Sequence, residues 1–130
     1  MAHNNTDLLD RINITDLHLR TIIGINPEER TNLQDVLINI TLFVDSKKAG
    51  ETDEINDAAN YRTITKNVIN LVENSQFFLV EKMASEISKI CLTNEKVARC
   101  IINVQKPSAL RFARSVGITI ERNRSSIDAK

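Results

Sequence analysis

The sequence predicts an α+β fold in which two helices cover one face of a four-stranded antiparallel sheet. Three observations predict it. Four segments alternate apolar and other residues with a period of two. Two segments between the second and third of these carry apolar residues at helical spacing. The chain has 130 residues, 42% of them hydrophobic and 26% charged, which suffices for one domain core and not for two. Paired strands with a helical pair between them segregate into layers, with the helices on one side of the sheet.

Taken in order, residues 9–25 are rich in Ile, Leu and Thr. Leu17, Leu19, Thr21 and Ile23 alternate there with His18, Arg20 and Ile22, which reads as a strand. Residues 26–32, from Asn26-Pro27-Glu28-Glu29 onward, break it. Val36, Ile38, Ile40, Leu42 and Val44 then line one face of a second strand, with Leu37, Asn39, Thr41 and Phe43 on the other; the two strands should pair antiparallel. Residues 46–58 read as mostly loop. Ile64, Val68, Leu71 and Val72 form the stripe of a helix over residues 61–73, which Asn74-Ser75-Gln76 ends. Val80, Met83, Ala84, Ile87, Ile90 and Cys91 form the stripe of a second helix over residues 79–93. A third strand covers residues 97–106. A fourth holds Val116, Ile118 and Ile120. The ordered core should run from about residue 9 to residue 123, with polar tails that fray. Such a sheet has two open edges and one uncovered face, which points to an oligomer that continues the sheet between subunits.

Charge and composition remove several function classes. A net charge of zero argues against non-specific binding to nucleic acid or to an anionic membrane. The polar first ten residues do not read as a secretory signal, and no apolar run approaches a membrane span. Cys91 and Cys100 lie in different elements and read as reduced, packed thiols in a cytoplasmic protein. His3 and His18 are too few and too far apart for a zinc site, so no metal is expected. The glycine-rich nucleotide loops and the Gly-x-Ser-x-Gly elbow are absent.

What remains for chemistry is lysine, tyrosine and carboxylates. Lys106 stands where the third strand stops, and Pro107 fixes the exit, so it is a cation on a rigid support; lysine serves as a general acid or base in a partly dry pocket. By itself it reads equally as a strand-end surface charge. Glu28-Glu29 reads first as a solvated acidic turn, and Tyr61 as a half-buried residue at a helix start. Glu81 lies beside the apolar stripe of the second helix, where a carboxylate needs a partner. That partner is either a salt bridge or a ligand with adjacent ring N–H and amino donors. Arg111 and Arg114 are candidates for phosphate or are solvated.

Ile23-Gly24-Ile25 with Glu28-Glu29, Asn60-Tyr61-Arg62-Thr63-Ile64-Thr65-Lys66, Leu79-Val80-Glu81-Lys82-Met83 and Lys106-Pro107 together resemble the dihydroneopterin aldolase superfamily. The resemblance runs from about residue 12 to residue 122, with the motifs in the same order. Residues 55–63 and the stretch Ala109-Leu110-Arg111-Phe112-Ala113 look most like the dihydroneopterin triphosphate 2′-epimerase branch; residues 117–122 look more like the aldolase branch, and Ser108 replaces the histidine expected after Lys-Pro in the epimerases. The resemblance implies a T-fold subunit whose sheets close into a tunnel-like barrel, stacked as a homo-octamer with active sites between subunits. It implies a small-molecule pterin substrate and no cofactor. Glu81 would hold the pterin ring, with backbone groups near Val80. Tyr61, from a neighbouring subunit, would stack on the ring and help move a proton. Lys106 would be the general acid/base, and Glu29 would position or activate it. Arg111 would reach a phosphate. The expected activity is 2′-epimerisation of dihydroneopterin triphosphate. The alternatives are dihydroneopterin aldolase activity in folate biosynthesis and a non-catalytic pterin-binding protein.

Overall fold

A computed structural model describes residues 8–107 and 109–125. The elements are β1 (Asp10–Ile23), β2 (Gln34–Val44), α1 (Lys47–Thr52), a 3₁₀ turn (Ile55–Asp57), α2 (Tyr61–Glu73), β3 (Gln76–Phe77), α3 (Val80–Leu92), β4 (Val97–Pro107) and β5 (Ser115–Asn123). The expected helix-on-sheet layering is present, but the sheet has five strands, in the order β3-β1-β2-β4-β5. The additional strand is β3, two residues long and parallel to Ile22 and Ile23 of β1. The β1–β2, β2–β4 and β4–β5 pairs are antiparallel. Residues 46–58 hold α1 and the 3₁₀ turn, not the loop expected. Neither element buries a residue, so neither leaves a stripe in the sequence.

α2 begins where its cap says it should. The side chain of Asn60 accepts a hydrogen bond from the Thr63 N–H at 3.2 Å, and Ile64, Val68 and Val72 bury one face. α3 buries Met83, Ala84, Ile87, Ser88, Cys91 and Leu92. α2 packs on β1, and α3 packs on β4 and β5. The inward residues of the sheet meet them, among them Ile23, Ile38, Ile40, Ile102 and Val104. Each fully buried side chain of this size contributes about 1.5–3 kcal/mol. Cys91 and Cys100 are free and buried in this layer; their mutual contact, then burial, push the Cys91 thiol up, so it stays protonated.

β1 carries a bulge. Ile14 pairs with Ile40 and Leu17 with Ile38, so β1 has one residue more than β2 between these pairs. Asp16 takes a positive φ of 55° there, and its N–H donates to Asn39 Oδ1 at 2.7 Å. The extra residue changes the phase of the strand. Ile12 and Ile14 point inward before it, and Leu17, Leu19, Thr21 and Ile23 after it.

The face away from the helices is polar. The Asn39 amide donates to Asn103 Oδ1, Gln105 donates to the same oxygen, and Asn103 donates to Thr119 Oγ1. Leu37, Phe43 and Ile101 are apolar residues on this face, and Phe43 lies between two guanidinium groups, Arg99 at 3.8 Å and Arg11 at 5.4 Å from its ring centre. At the C-terminus, residues 123–125 do not fray. Arg124 donates to the carbonyls of Leu92, Asn94 and Val97, which ties the chain end to the α3–β4 connection. Residues 1–7 and 126–130, expected as tails, and Ser108 lie outside the described residues. No helix among the described residues is long and apolar enough to cross a membrane.

Candidate active site

Lys106 owes its place to the period of β4. Cys100, Ile102 and Val104 point into the core, and Lys106 takes the next inward position. Its stem therefore follows the core, and its ammonium emerges at the rim with 14% of the side chain exposed. Antiparallel pairing continues past it, with Lys106 opposite Val116 and Pro107 opposite Ser115.

Glu29 is brought there by the β1–β2 turn. Asn26 opens a helical turn, with its carbonyl accepting from the N–H groups of Glu29 and Arg30, and Pro27 is in the position where its missing N–H costs nothing. Glu29 folds back so that Oε1 accepts from the Asn26 N–H at 3.1 Å and Oε2 accepts from Lys106 Nζ at 2.8 Å. The Lys106 hydrogen bond, then the Asn26 N–H, hold the Glu29 carboxyl below the usual range. Gly24 makes the fold-back possible. It has φ +127°, and a Cβ there would lie 2.1 Å from Glu29 Oε1.

Val80 and Glu81 reach the same end of the molecule by two routes. β3 pairs with the last residues of β1, and α3 starts three residues after it. α3 also leads through a short connection into β4 and packs on it, so the helix start lies toward the Lys106 end of the strand. α3 has no side-chain cap. Its first N–H groups thus have no intrahelical partner and face outward from the helix. Glu81 is exposed and makes no ion pair among the described residues. The expectation that it needs a partner fails on its exposure, since water satisfies an exposed carboxylate. A carboxylate in the first turn is also favoured by the helix dipole.

Tyr61 is not brought to this cluster within one chain. The C-terminal end of α2 adjoins the end of β1, where Thr21 donates to the Val72 carbonyl at 2.7 Å. Tyr61 is eleven residues earlier in the helix (about 16 Å away along the axis). It is 52% exposed and lines a separate, mostly apolar hollow of about 400 Å³ with Arg62, Thr65, Lys66 and Ile69. Arg111 is exposed on the β4–β5 connection, with its guanidinium 5.4 Å from the Phe112 ring, and it does not touch the Glu29–Lys106 pair.

Sequence reasoning missed Arg30 and Gln34 altogether. Gln34 donates to the Ile23 carbonyl, and Arg30 donates to three carbonyls around Gly24 and β3. Polar residues in a turn carry no periodic signal that would single them out.

A lysine hydrogen-bonded to a carboxylate at the rim of the core is a pair that can move a proton. The FolB dihydroneopterin aldolase profile matches residues 12–121. The chain belongs to the dihydroneopterin aldolase family. Among relatives, the dihydroneopterin triphosphate 2′-epimerase of Pseudomonas aeruginosa is 48% identical over 114 residues, covering 88% of this chain and 93% of that one. The Escherichia coli enzyme of the same name is 43% identical, covering 87% of this chain and 94% of its own. Among solved structures, Escherichia coli dihydroneopterin aldolase in complex with neopterin superposes with a TM-score of 0.84 at 32% identity, covering 88% of this chain and 99% of that one. The five-stranded, helix-backed sheet is thus the T-fold of this family.

Proposed function

We propose that this family member is a dihydroneopterin triphosphate 2′-epimerase. The observation that carries the reading is the Lys106–Glu29 pair, 2.8 Å apart at the end of β4 toward which the uncapped start of α3 also lies. The choice of branch rests on the higher identity to the two epimerases than to the aldolase.

In this reading Glu81 accepts two hydrogen bonds from the ring N–H and amino group of the pterin, and the N–H groups around Val80 meet its carbonyl oxygen. Lys106 is the general acid/base, held by Glu29, and Tyr61 of a neighbouring subunit stacks on the ring and relays a proton. Removal of the 2′-hydroxyl proton makes C2′ a carbonyl and breaks the C1′–C2′ bond. The electron pair passes through C1′ into the C6=N5 bond, and N5 takes up a proton to give an enamine. The substrate is its own electron sink, so the reaction as written calls for no cofactor. Re-addition of C1′ to the opposite face of the retained aldehyde inverts C2′. Loss of that aldehyde, with protonation of C1′, is aldolase chemistry. This is the second reading, and the family profile carries its name.

The separation of Tyr61 from Lys106 supports a homo-oligomer with shared sites, and we expect the stacked octamer of the T-fold. β5 pairs only with β4 among the described residues, which leaves an edge for a neighbour's sheet. Arg111 is the residue assigned to the phosphate chain, and the cytoplasm is the expected location, in keeping with the free thiols.

The test is to incubate the protein separately with 7,8-dihydroneopterin and its triphosphate and to separate the products. Inversion at C2′, fastest on the triphosphate, is expected. Release of glycolaldehyde and 6-hydroxymethyl-dihydropterin as the main course would make the chain an aldolase. Quenching of pterin fluorescence with no new pterin would leave it a binding protein.

A further inference from the structure

Glu29 and Arg30 are neighbours in sequence, and their side chains leave the turn in different directions. Glu29 goes to Lys106. Arg30 goes to the strand–helix connection that ends in Val80 and Glu81. Arg30 Nη1 donates to the Gly24 carbonyl at 2.9 Å and to the Phe77 carbonyl at 3.1 Å, and Nη2 donates to the Gln76 carbonyl at 2.8 Å. The guanidinium also lies 4.1 Å from the ring centre of Phe78. It makes no ion pair among the described residues, so its contacts are with backbone oxygens and one ring.

We infer that Arg30 is a positioning residue, which locks the acid–base half of the site, Glu29 with Lys106, to the recognition half, Val80 with Glu81. The inference rests on the pterin reading proposed above for what the two halves do, but the lock is a property of the free protein. The reason one is needed is the shortness of β3. Two residues paired parallel to the end of β1, with one further bond from the Gly24 N–H to the Phe77 carbonyl at 3.2 Å, are a weak tether for a helix start. Arg30 adds three charge-assisted bonds to this tether, in a planar fork that fixes Gly24 and residues 76–78 against each other. A lysine has one ammonium and no plane, so it cannot hold three carbonyls and cover the Phe78 ring together. Because the same turn carries Glu29, a shift of β3 relative to Gly24 changes the distance between Glu81 and Lys106, and a flat ligand that needs both is lost.

The experiment uses Arg30→Ala and Arg30→Lys in the full chain, with three readouts. Amide hydrogen exchange without ligand should rise by at least about 10-fold at the hydrogen-bonded amides within residues 76–83 and stay near wild type in the β4–β5 pairing. KM for the pterin substrate should rise by about 10-fold or more, with a smaller fall in kcat. Millimolar guanidinium, below denaturing levels, should partly restore KM in Arg30→Ala. Unchanged exchange over residues 76–83 would overturn the lock, as would a loss confined to kcat. If Arg30→Ala does not fold, Arg30→Lys carries the same comparison, and wild-type exchange and KM in that variant would likewise overturn it. If the wild-type chain turns over no pterin, the proposed function fails, while the exchange readout still decides the role of Arg30.

Discussion

The two ends of the helical layer differ in how complete they are. At the Lys106 end the polar side chains of the β1–β2 turn and of the end of β4 have partners inside the chain, and Glu81 alone of the candidate residues there is open to solvent. Lys106 has Glu29, Glu29 also has the Asn26 N–H, and Arg30 has three carbonyls. At the Tyr61 end, an exposed tyrosine lies over a hollow formed by its own helix. The difference teaches that one subunit preorganises the Glu29–Lys106 pair and does not bring the aromatic to it. Under the proposed function, Tyr61 acts only where another copy comes to meet it.

The largest expected effect tests the finished end. Lys106→Ala should lower turnover by about 10³-fold and leave pterin affinity largely intact, as read by fluorescence titration beside steady-state rates. Turnover within a few fold of wild type would remove Lys106 from the chemistry. The same variant sharpens the comparison when dissociated and reassembled with Tyr61→Ala subunits. If the site is shared, random mixing of two inactive variants restores about a quarter of the sites. Mixtures as inactive as their parents would mean that each site takes both residues from one chain.

A smaller effect is expected from Gly24→Ala. The new Cβ would displace the Glu29 carboxylate, and φ +127° is unfavourable for any residue with a side chain. Turnover should fall on the order of 10²-fold through misplacement of the pair, with about 1–3 kcal/mol of stability lost. Chemical denaturation and rates measured on one preparation check both. The smallest effect is the pH dependence of Glu29→Gln. The carboxyl of Glu29 is depressed on folding below its ordinary value of 4.5. Its contribution is therefore complete above that value and is lost as pH falls through the folded-state value. The gap between wild type and Glu29→Gln, roughly 1 kcal/mol at neutral pH, should close below pH 4.5. A gap independent of pH would mean that the charge does not stabilise the fold.

The legible parts of the chain were those with a period or a cap. α2 spans the expected residues because Asn60 caps it and Ile64, Val68 and Val72 mark its buried face. The strands were legible where alternation is unbroken, as in β2 and β4. β3 was not, because two residues cannot show a period, and α1 was not, because it buries none. In the site, family resemblance singled out Glu29, Tyr61, Val80, Glu81 and Lys106, but periodicity places only Lys106, as the inward position after Val104. The separation of Tyr61 from Lys106 depends on which end of α2 meets β1, and that contact, Thr21 to Val72, joins residues far apart in the chain. Arg30 was invisible for a related reason, since its partners are backbone oxygens that no side-chain pattern announces.

The bulge at Asp16 gives β1 two reading frames. Ile12 and Ile14 are in one, and Leu17, Leu19, Thr21 and Ile23 in the other, with a single residue as the frameshift between them. Deleting Asp16 would tidy the local geometry and remove a positive φ. It would also merge the two frames, because Ile14 and Leu17 would then stand two positions apart and Leu17, Leu19, Thr21 and Ile23 would keep their inward face. Loss of one residue is therefore tolerable at this point and nowhere else in the strand, where it would turn one half over, and chains of this kind compared residue by residue should be aligned separately on each side of that point.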